Sequence, residues 1–206
     1  MSALGRGAII KRMQTGELSV SPLLSKTQIG AASVDLRMGN VALIVRARGT
    51  SHVDPTAARS KRTTDHVRET RVQQKHERHE LPFRARLLLH PGALVLVPTL
   101  EWVSLPDNIM GAVTARSTWA REGLSIATAT LIEPGYQGIV TLELSNLGEI
   151  PITLYPGLEI AQIAFAEVSG DTVRPDQPQF ALSFEPTQGK IPKESELPFL
   201  PFDIDS

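Results

Sequence analysis

The sequence predicts a mainly β protein, an antiparallel sandwich or barrel. Three observations predict it. Short apolar or alternating runs recur through residues 87–168, and the turn signals HPGA, LPDN, EPGYQG, NLGEIP and YPGLE separate them at regular intervals. No helical repeat stands between these runs, as a doubly wound α/β fold would require. At 206 residues the chain is long enough for one domain with a real core and short for two large ones.

The elements follow in order. Residues 4–16 place Ala8, Ile9, Met13 and Leu18 near one helical face and stop at a glycine, so a short amphipathic helix is expected there. ASVDLRMGN, residues 32–40, alternates Val34, Leu36 and Met38 against Ser33, Asp35 and Arg37, the pattern of a half-buried strand. Residues 59–80 are highly charged and almost free of apolar side chains, which predicts a solvated loop or surface helix. The bases there alternate with Asp65, Glu69, Glu77 and Glu80, and mixed signs weaken any field that would attract nucleic acid. His76 and His79 stand three apart without an evident third metal ligand. Residues 1–170 are thus read as one β domain carrying the charged segment 59–80, and the Pro-rich residues 171–206 as a C-terminal tail that lies over another surface or stays mobile.

Composition bounds the function. A net charge of -1 and 41% hydrophobic residues describe a soluble protein with no global basic field, so nucleic acid is not an expected partner. No apolar run approaches the roughly 18 residues of a membrane span, and the first residues lack a continuous apolar signal region. The absence of cysteine excludes disulfides, thiolate zinc sites and a cysteine nucleophile, and fits a cytoplasmic setting.

Three stretches carry chemistry. In GIVTLELSN, residues 138–146, strand alternation sends Val140, Leu142 and Leu144 to one face and Ile139, Thr141, Glu143 and Ser145 to the other. Glu143 reads either as an exposed strand carboxylate or as a partly enclosed one, whose pKa would rise on desolvation and suit proton shuttling. RSTWAREG has the polar start and glycine stop of a single helical turn. Its backbone N–H groups, with Arg116, Ser117 and Thr118 beside them, suit a phosphate chain; the alternative is a capped turn with its arginines in solvent. Tyr136, in EPGYQG, is either a turn aromatic packed on its own strand or the platform under a sugar ring.

The combination ARSTWAREGL with TATLIEPGYQGIVTLELSN resembles the signature of the dCTP deaminase branch of the dUTPase superfamily. ASVDLRMGN, LLLHPGALVLVPTLEWVSLPDNIMG and NLGEIPITLYPGLEIAQIAF extend the resemblance over about residues 5–168. It implies a distorted, dUTPase-like β-barrel or jelly roll with a C-terminal lid, assembled as a homotrimer with active sites between subunits. It also implies hydrolytic deamination of dCTP to dUTP and ammonia without zinc, consistent with the missing Pro-Cys-x-x-Cys segment of the zinc deaminases. By the resemblance, the carboxylate of Glu143 takes a proton from water and returns protons to the ring nitrogen and the departing amine. Ser117 and the backbone carbonyl of Ala129 position that water, which attacks C4 of cytosine, and Arg121 supports the site electrostatically. Arg116 and Thr118 hold the triphosphate, which travels with Mg²⁺. Tyr136 packs against deoxyribose, and Thr128, Glu133 and Gln188 complete the substrate contacts. dTTP is the inhibitor the resemblance implies.

The sequence departs from the family pattern at four places. Glu133 stands where an aspartate precedes Pro-Gly, and no histidine precedes the Thr128-Ala129 pair. The interval from Arg121 to Pro134 is one residue shorter than in the deaminases, toward the plain dUTPases. In the tail, SFEPTQGKIPKES keeps Phe184, Gln188 and Gly189 but has Ser183 in place of a lysine, and no Ser-Arg pair follows. The alternatives to dCTP deamination are therefore dUTP hydrolysis to dUMP, alone or joined to deamination, and a nucleotide-binding regulator without chemistry.

Overall fold

A computed structural model describes residues 2–46, 76–126, 130–170 and 186. The chain divides into two compact units, Met1–Ile44 with Arg78–Thr187, and Val45–Glu77 with Gln188–Ser206. The described part of the second is small; in it Arg46 Nε lies 3.8 Å from the Glu77 carboxylate.

The first unit carries the sheets, and each strand pair in it is antiparallel. One sheet orders β1 (Ser2–Ala3), β13 (Glu159–Glu167), β8 (Ile109–Ala115) and β10 (Leu131–Ile132), with β3 (Ser33–Arg37) also paired to β13. A second orders β4 (Val41–Val45), β7 (Leu94–Ser104), β11 (Gln137–Asn146) and β9 (Leu124–Ile126), with β2 (Ser19–Ser21) also on β7. β6 (Leu87–Leu89) and β12 (Ile152–Leu154) form a small third sheet. The mainly β expectation is met, as a distorted antiparallel fold whose sheets remain open among the described residues. Each expected turn signal falls between strands, because Pro lacks a ladder donor, Gly weakens a strand, and both suit the bends that end one.

The core forms where the inward faces of the two large sheets meet, with Leu36, Met38, Val97, Ile109, Leu142, Leu144, Ile163 and Phe165 at 0–1% exposure. The N-terminal helix α1 runs over Arg6–Gln14 and seals one side of this core with Ile9, while Met13 is half-buried. Two positions differ from expectation: Ala8 is exposed, and Leu18 is buried only after the helix has ended. Nine residues give two and a half turns, so only a narrow stripe of α1 reaches the core.

Two other expectations are corrected. Arg37, assigned by alternation to the polar face of β3, is 5% exposed, because the buried carboxylate of Glu101 neutralises it. Ile139 keeps the face it was expected to share with Thr141 and Glu143, opposite Trp102 as they are opposite Pro98 and Leu96, and is itself buried there. Within the charged segment, His76–Glu80 form a strand, β5, rather than a loop or helix; the rest of residues 59–75 lies outside the described residues. On a strand, residues three apart point to opposite faces, so His76 and His79 do not share a ligand site.

Candidate active site

The stretch RSTWAREG forms one helical turn, α2 (Ser117–Arg121). Arg116 precedes it in extended conformation and accepts backbone bonds from Trp119 and Ala120 through its carbonyl. Trp119 fastens the turn to β13 by donating its indole N–H to the Glu159 carbonyl at 3.0 Å. Ser117, Thr118 and Arg121 are exposed, so the turn presents two hydroxyls and a cation to solvent.

Gly123 ends the turn with φ +92, and a Cβ built there would lie 2.7 Å from the backbone nitrogen of Gly148. Both the positive φ and the close approach exclude a side chain. Gly123→Ala is therefore expected to lower stability by about 2 kcal/mol or more and the melting temperature by roughly 5 °C, measured by thermal denaturation. Asn146 organises the other side of this junction. Its buried amide donates to the carbonyls of Leu89 and Ile150 and accepts from the Gly148 N–H, while Leu147 donates to the Gly123 carbonyl.

After Gly123, β9 pairs with β11 through Leu124↔Asn146 and Leu144↔Ile126. Glu143 is the next residue along β11, half-buried on the face it shares with Thr141 and Ser145 and opposite Leu96 in the ladder. The alternation that isolates it from buried Val140, Leu142 and Leu144 is the one expected from sequence. Glu143 and α2 thus lie toward the same end of β11.

Arg116 is already engaged. Its Nη1 donates to Glu159 at 2.5 Å and its Nε lies 3.4 Å from the Asp35 carboxylate. Burial raises the Asp35 carboxyl above the usual carboxylate range; Arg116 opposes that shift and Glu159 adds to it. Two carboxylates around one guanidinium leave a local excess of negative charge, and among the described residues the two N–H donors on Nη2 meet no acceptor. Asp35 and Glu159 are partners that sequence reasoning missed. The half-buried strand pattern placed Asp35 on the polar face of β3, but its pairing with a residue 81 positions away, 116 minus 35, has no local signal.

Glu133 and Tyr136 occupy a separate location. The chain turns at EPGY, where Tyr136 N–H donates to the Glu133 carbonyl and Gly135 adopts φ +78, the conformation that the third position of a type II turn demands. Glu133 is exposed. Tyr136 is half-buried against the core and donates its hydroxyl to the Ile139 carbonyl at 2.5 Å, so it packs on its own strand. Burial pushes the phenol up to about 12 from 10.0. A raised phenol pKa favours the protonated, folded form, so its contribution to stability is complete below pH 10.0 and is lost as pH rises toward about 12. Thermal melts should therefore show a loss of stability over that window in the parent that is reduced in Tyr136→Phe.

Tyr136 immediately precedes β11 and stands seven positions before Glu143, roughly 20 Å in extended chain. β8 gives the same result independently: Gly111 pairs with Ile132, next to Glu133, and Arg116 lies five residues on, roughly 15 Å away. One chain therefore presents two groups, α2 with Glu143 and, at a distance, Glu133 with Tyr136. Thr128, Ala129 and Gln188 lie outside the described residues, and among the described residues no three His, Cys, Asp or Glu side chains gather into a metal-binding group.

Over residues 3–168 the sequence matches the family described as dCTP deaminase-like. A Natronomonas pharaonis protein named dCTP deaminase is 38% identical over 169 residues, which cover 81% of this chain and 81% of that one. A Dictyoglomus thermophilum protein named dCTP deaminase, dUMP-forming, is 36% identical over 169 residues, again 81% of each chain. The solved structure of 2'-deoxycytidine 5'-triphosphate deaminase from Agrobacterium tumefaciens shares the fold, with a TM-score of 0.58 at 24% identity. The likeness covers 82% of this chain and 48% of that chain, so the present chain spans about half its length.

Proposed function

Because the chain belongs to the dCTP deaminase-like family, we propose that it deaminates dCTP hydrolytically, releasing dUTP and ammonia. The observation that carries this reading is Glu143, a half-buried carboxylate on the polar face of β11 at the end where α2 is joined to the sheet. A carboxylate there can take a proton from water as the oxygen attacks C4 of cytosine. It passes that proton to the ring nitrogen, then takes the proton of the new C4 hydroxyl and gives it to the amine, so the tetrahedral intermediate collapses to uracil and ammonia. Ser117 and the Ala129 carbonyl orient the water, and a water held at attack distance avoids part of the entropic barrier. The charge of Arg121 stabilises the negative charge that builds as the water adds.

The triphosphate, carrying Mg²⁺ as part of the substrate, is held by Thr118 and the remaining donors of Arg116. Glu133 and Tyr136 serve the sugar. Their distance from Glu143 supports a homotrimer in which a neighbouring copy supplies them, and Thr128 and Gln188 add contacts to base and phosphates.

The test is incubation of purified protein with Mg²⁺ and dCTP, with nucleotides separated by ion exchange and ammonia measured enzymatically. dUTP and ammonia in equal amounts are expected. dUMP with pyrophosphate would mean that hydrolysis follows in the same site, a reading favoured by the dUMP-forming relative and by the exposed carboxylate of Glu133. Intact dCTP, with dUTP, dCDP and dCMP also unchanged, would leave a nucleotide-binding regulator. A monomer mass by light scattering would sink the shared site.

A further inference from the structure

The ladder between β7 and β11 is broken at one place. Ile139 is opposite Trp102 and Thr141 is opposite Pro98, so the single residue Val140 faces the three residues 99–101. The Val140 N–H is taken by a side chain instead: the Thr99 hydroxyl accepts it at 3.0 Å and donates its own proton to the Glu101 carbonyl at 2.7 Å. Thr99 is 3% exposed and Val140 6%, so water does not replace either bond.

β7 carries two residues more than β11 across this gap, and an even number preserves the side-chain phase. Val95, Val97, Thr99, Glu101 and Val103 all remain buried, and so do Val140, Leu142 and Leu144 on the partner. Glu143 lies three residues beyond Val140 and therefore faces the other way. A slip of one residue would turn Glu143 into the core and Leu142 and Leu144 out of it. A bulge is the place where such a slip meets least resistance, because regular ladder bonds are missing there. On its other side the bulge is held by β3 and the residues after it, through the Gly39 N–H to the Pro98 carbonyl at 2.7 Å and a bridge between Met38 and Thr99. The Thr99 hydroxyl ties that fixed side to β11.

We propose that Thr99 is a positioning residue for the reaction: its hydroxyl pins the bulge and thereby the register and aim of Glu143. The proposal rests on the reading of Glu143 as the proton-transferring group. Thr99→Val keeps the shape and removes both hydrogen bonds, and Thr99→Ser keeps the bonds and removes a methyl group.

Steady-state kinetics on dCTP, across pH, compare the two variants with the parent and with Glu143→Gln. Thr99→Val is expected to lower kcat by roughly 10²-fold at nearly unchanged KM, since small misplacements of a reacting group cost about that much. It should also displace the acidic limb of the kcat profile, and Thr99→Ser should restore both. Equal losses in Val and Ser, a loss confined to KM, or a folded Thr99→Val with parental kcat would each overturn the proposal. Where Thr99→Val does not fold, amide exchange decides: Val140 N–H should be strongly protected in the parent and deprotected in Thr99→Ala, and an unprotected parental amide overturns it. An inert parent or an active Glu143→Gln sinks the reading of Glu143 and this proposal with it; a dead Glu143→Gln beside a fully active Thr99→Val sinks the proposal alone.

Discussion

Glu143→Gln should reduce kcat for dCTP by about 10³-fold or more while KM stays within roughly threefold, since one positioned acid–base group typically contributes 10²–10⁴-fold and here it serves several transfers. Glutamine fills the same space on the half-buried face of β11, so the strand between buried Leu142 and Leu144 has no reason to move. What is lost is the capacity to accept a proton. An amide can orient a water but cannot deprotonate it, so substrate should bind and remain unchanged. Steady-state kinetics with parallel binding measurements separate the outcomes. A raised KM with kcat preserved would make Glu143 a binding group instead. Parental rates would remove it from the reaction. The melting temperature of the variant, measured beside the rates, distinguishes loss of chemistry from loss of structure.

Features governed by neighbours in sequence were legible before the structure. The turn at EPGY, the single helical turn of RSTWAREG and the alternation from Val140 to Ser145 are each set within a few residues by backbone sterics and side-chain period. Features governed by distant pairing were not. Period-two alternation places Arg37 outward; only a carboxylate 64 positions away, 101 minus 37, makes its burial tolerable, and no local pattern announces that partner. The same holds for Arg116 with Asp35 and Glu159. β5 is built from His76, Glu77, Arg78, His79 and Glu80, whose composition argues against a strand. Among the residues that the resemblance joined into one site, the structure also separates Tyr136 from Glu143 by a stretch of strand. A motif read along the chain carries no information about which end of a strand each residue occupies until the register is known.

The second large effect is expected at Arg37 and Glu101. Glu101 is 0% exposed and accepts from the Arg37 side chain at 2.5 Å and from the Arg37 backbone N–H at 2.8 Å, with Gln28 at 3.4 Å. Arg37 spends another donor on the Pro22 carbonyl at 2.7 Å. Glu101→Ala should therefore destabilise the fold by about 3–5 kcal/mol and lower its melting temperature by roughly 10 °C, because it strands a buried guanidinium and the Arg37 N–H without an acceptor. The surface pair of Arg12 with Glu17, on side chains 22% and 53% exposed, is the control: Glu17→Ala should cost at most about 1 kcal/mol despite its 2.9 Å separation, since water screens it. Replacing both buried partners, Arg37→Met with Glu101→Leu, should recover much of the loss, as two apolar side chains leave no charge unpaired, although the Pro22 carbonyl and the Arg37 N–H still lack their partners. If the double replacement is as unstable as Glu101→Ala, the desolvated charge is not the cause. The consequence reaches the site through β3, because Arg37 ends the strand that carries Asp35, and Asp35 faces Arg116 at 3.4 Å. The recovered double variant should consequently be stable yet bind triphosphate more weakly than the parent, an outcome that dCTP titration of the two proteins at matched temperature below both melting points would reveal.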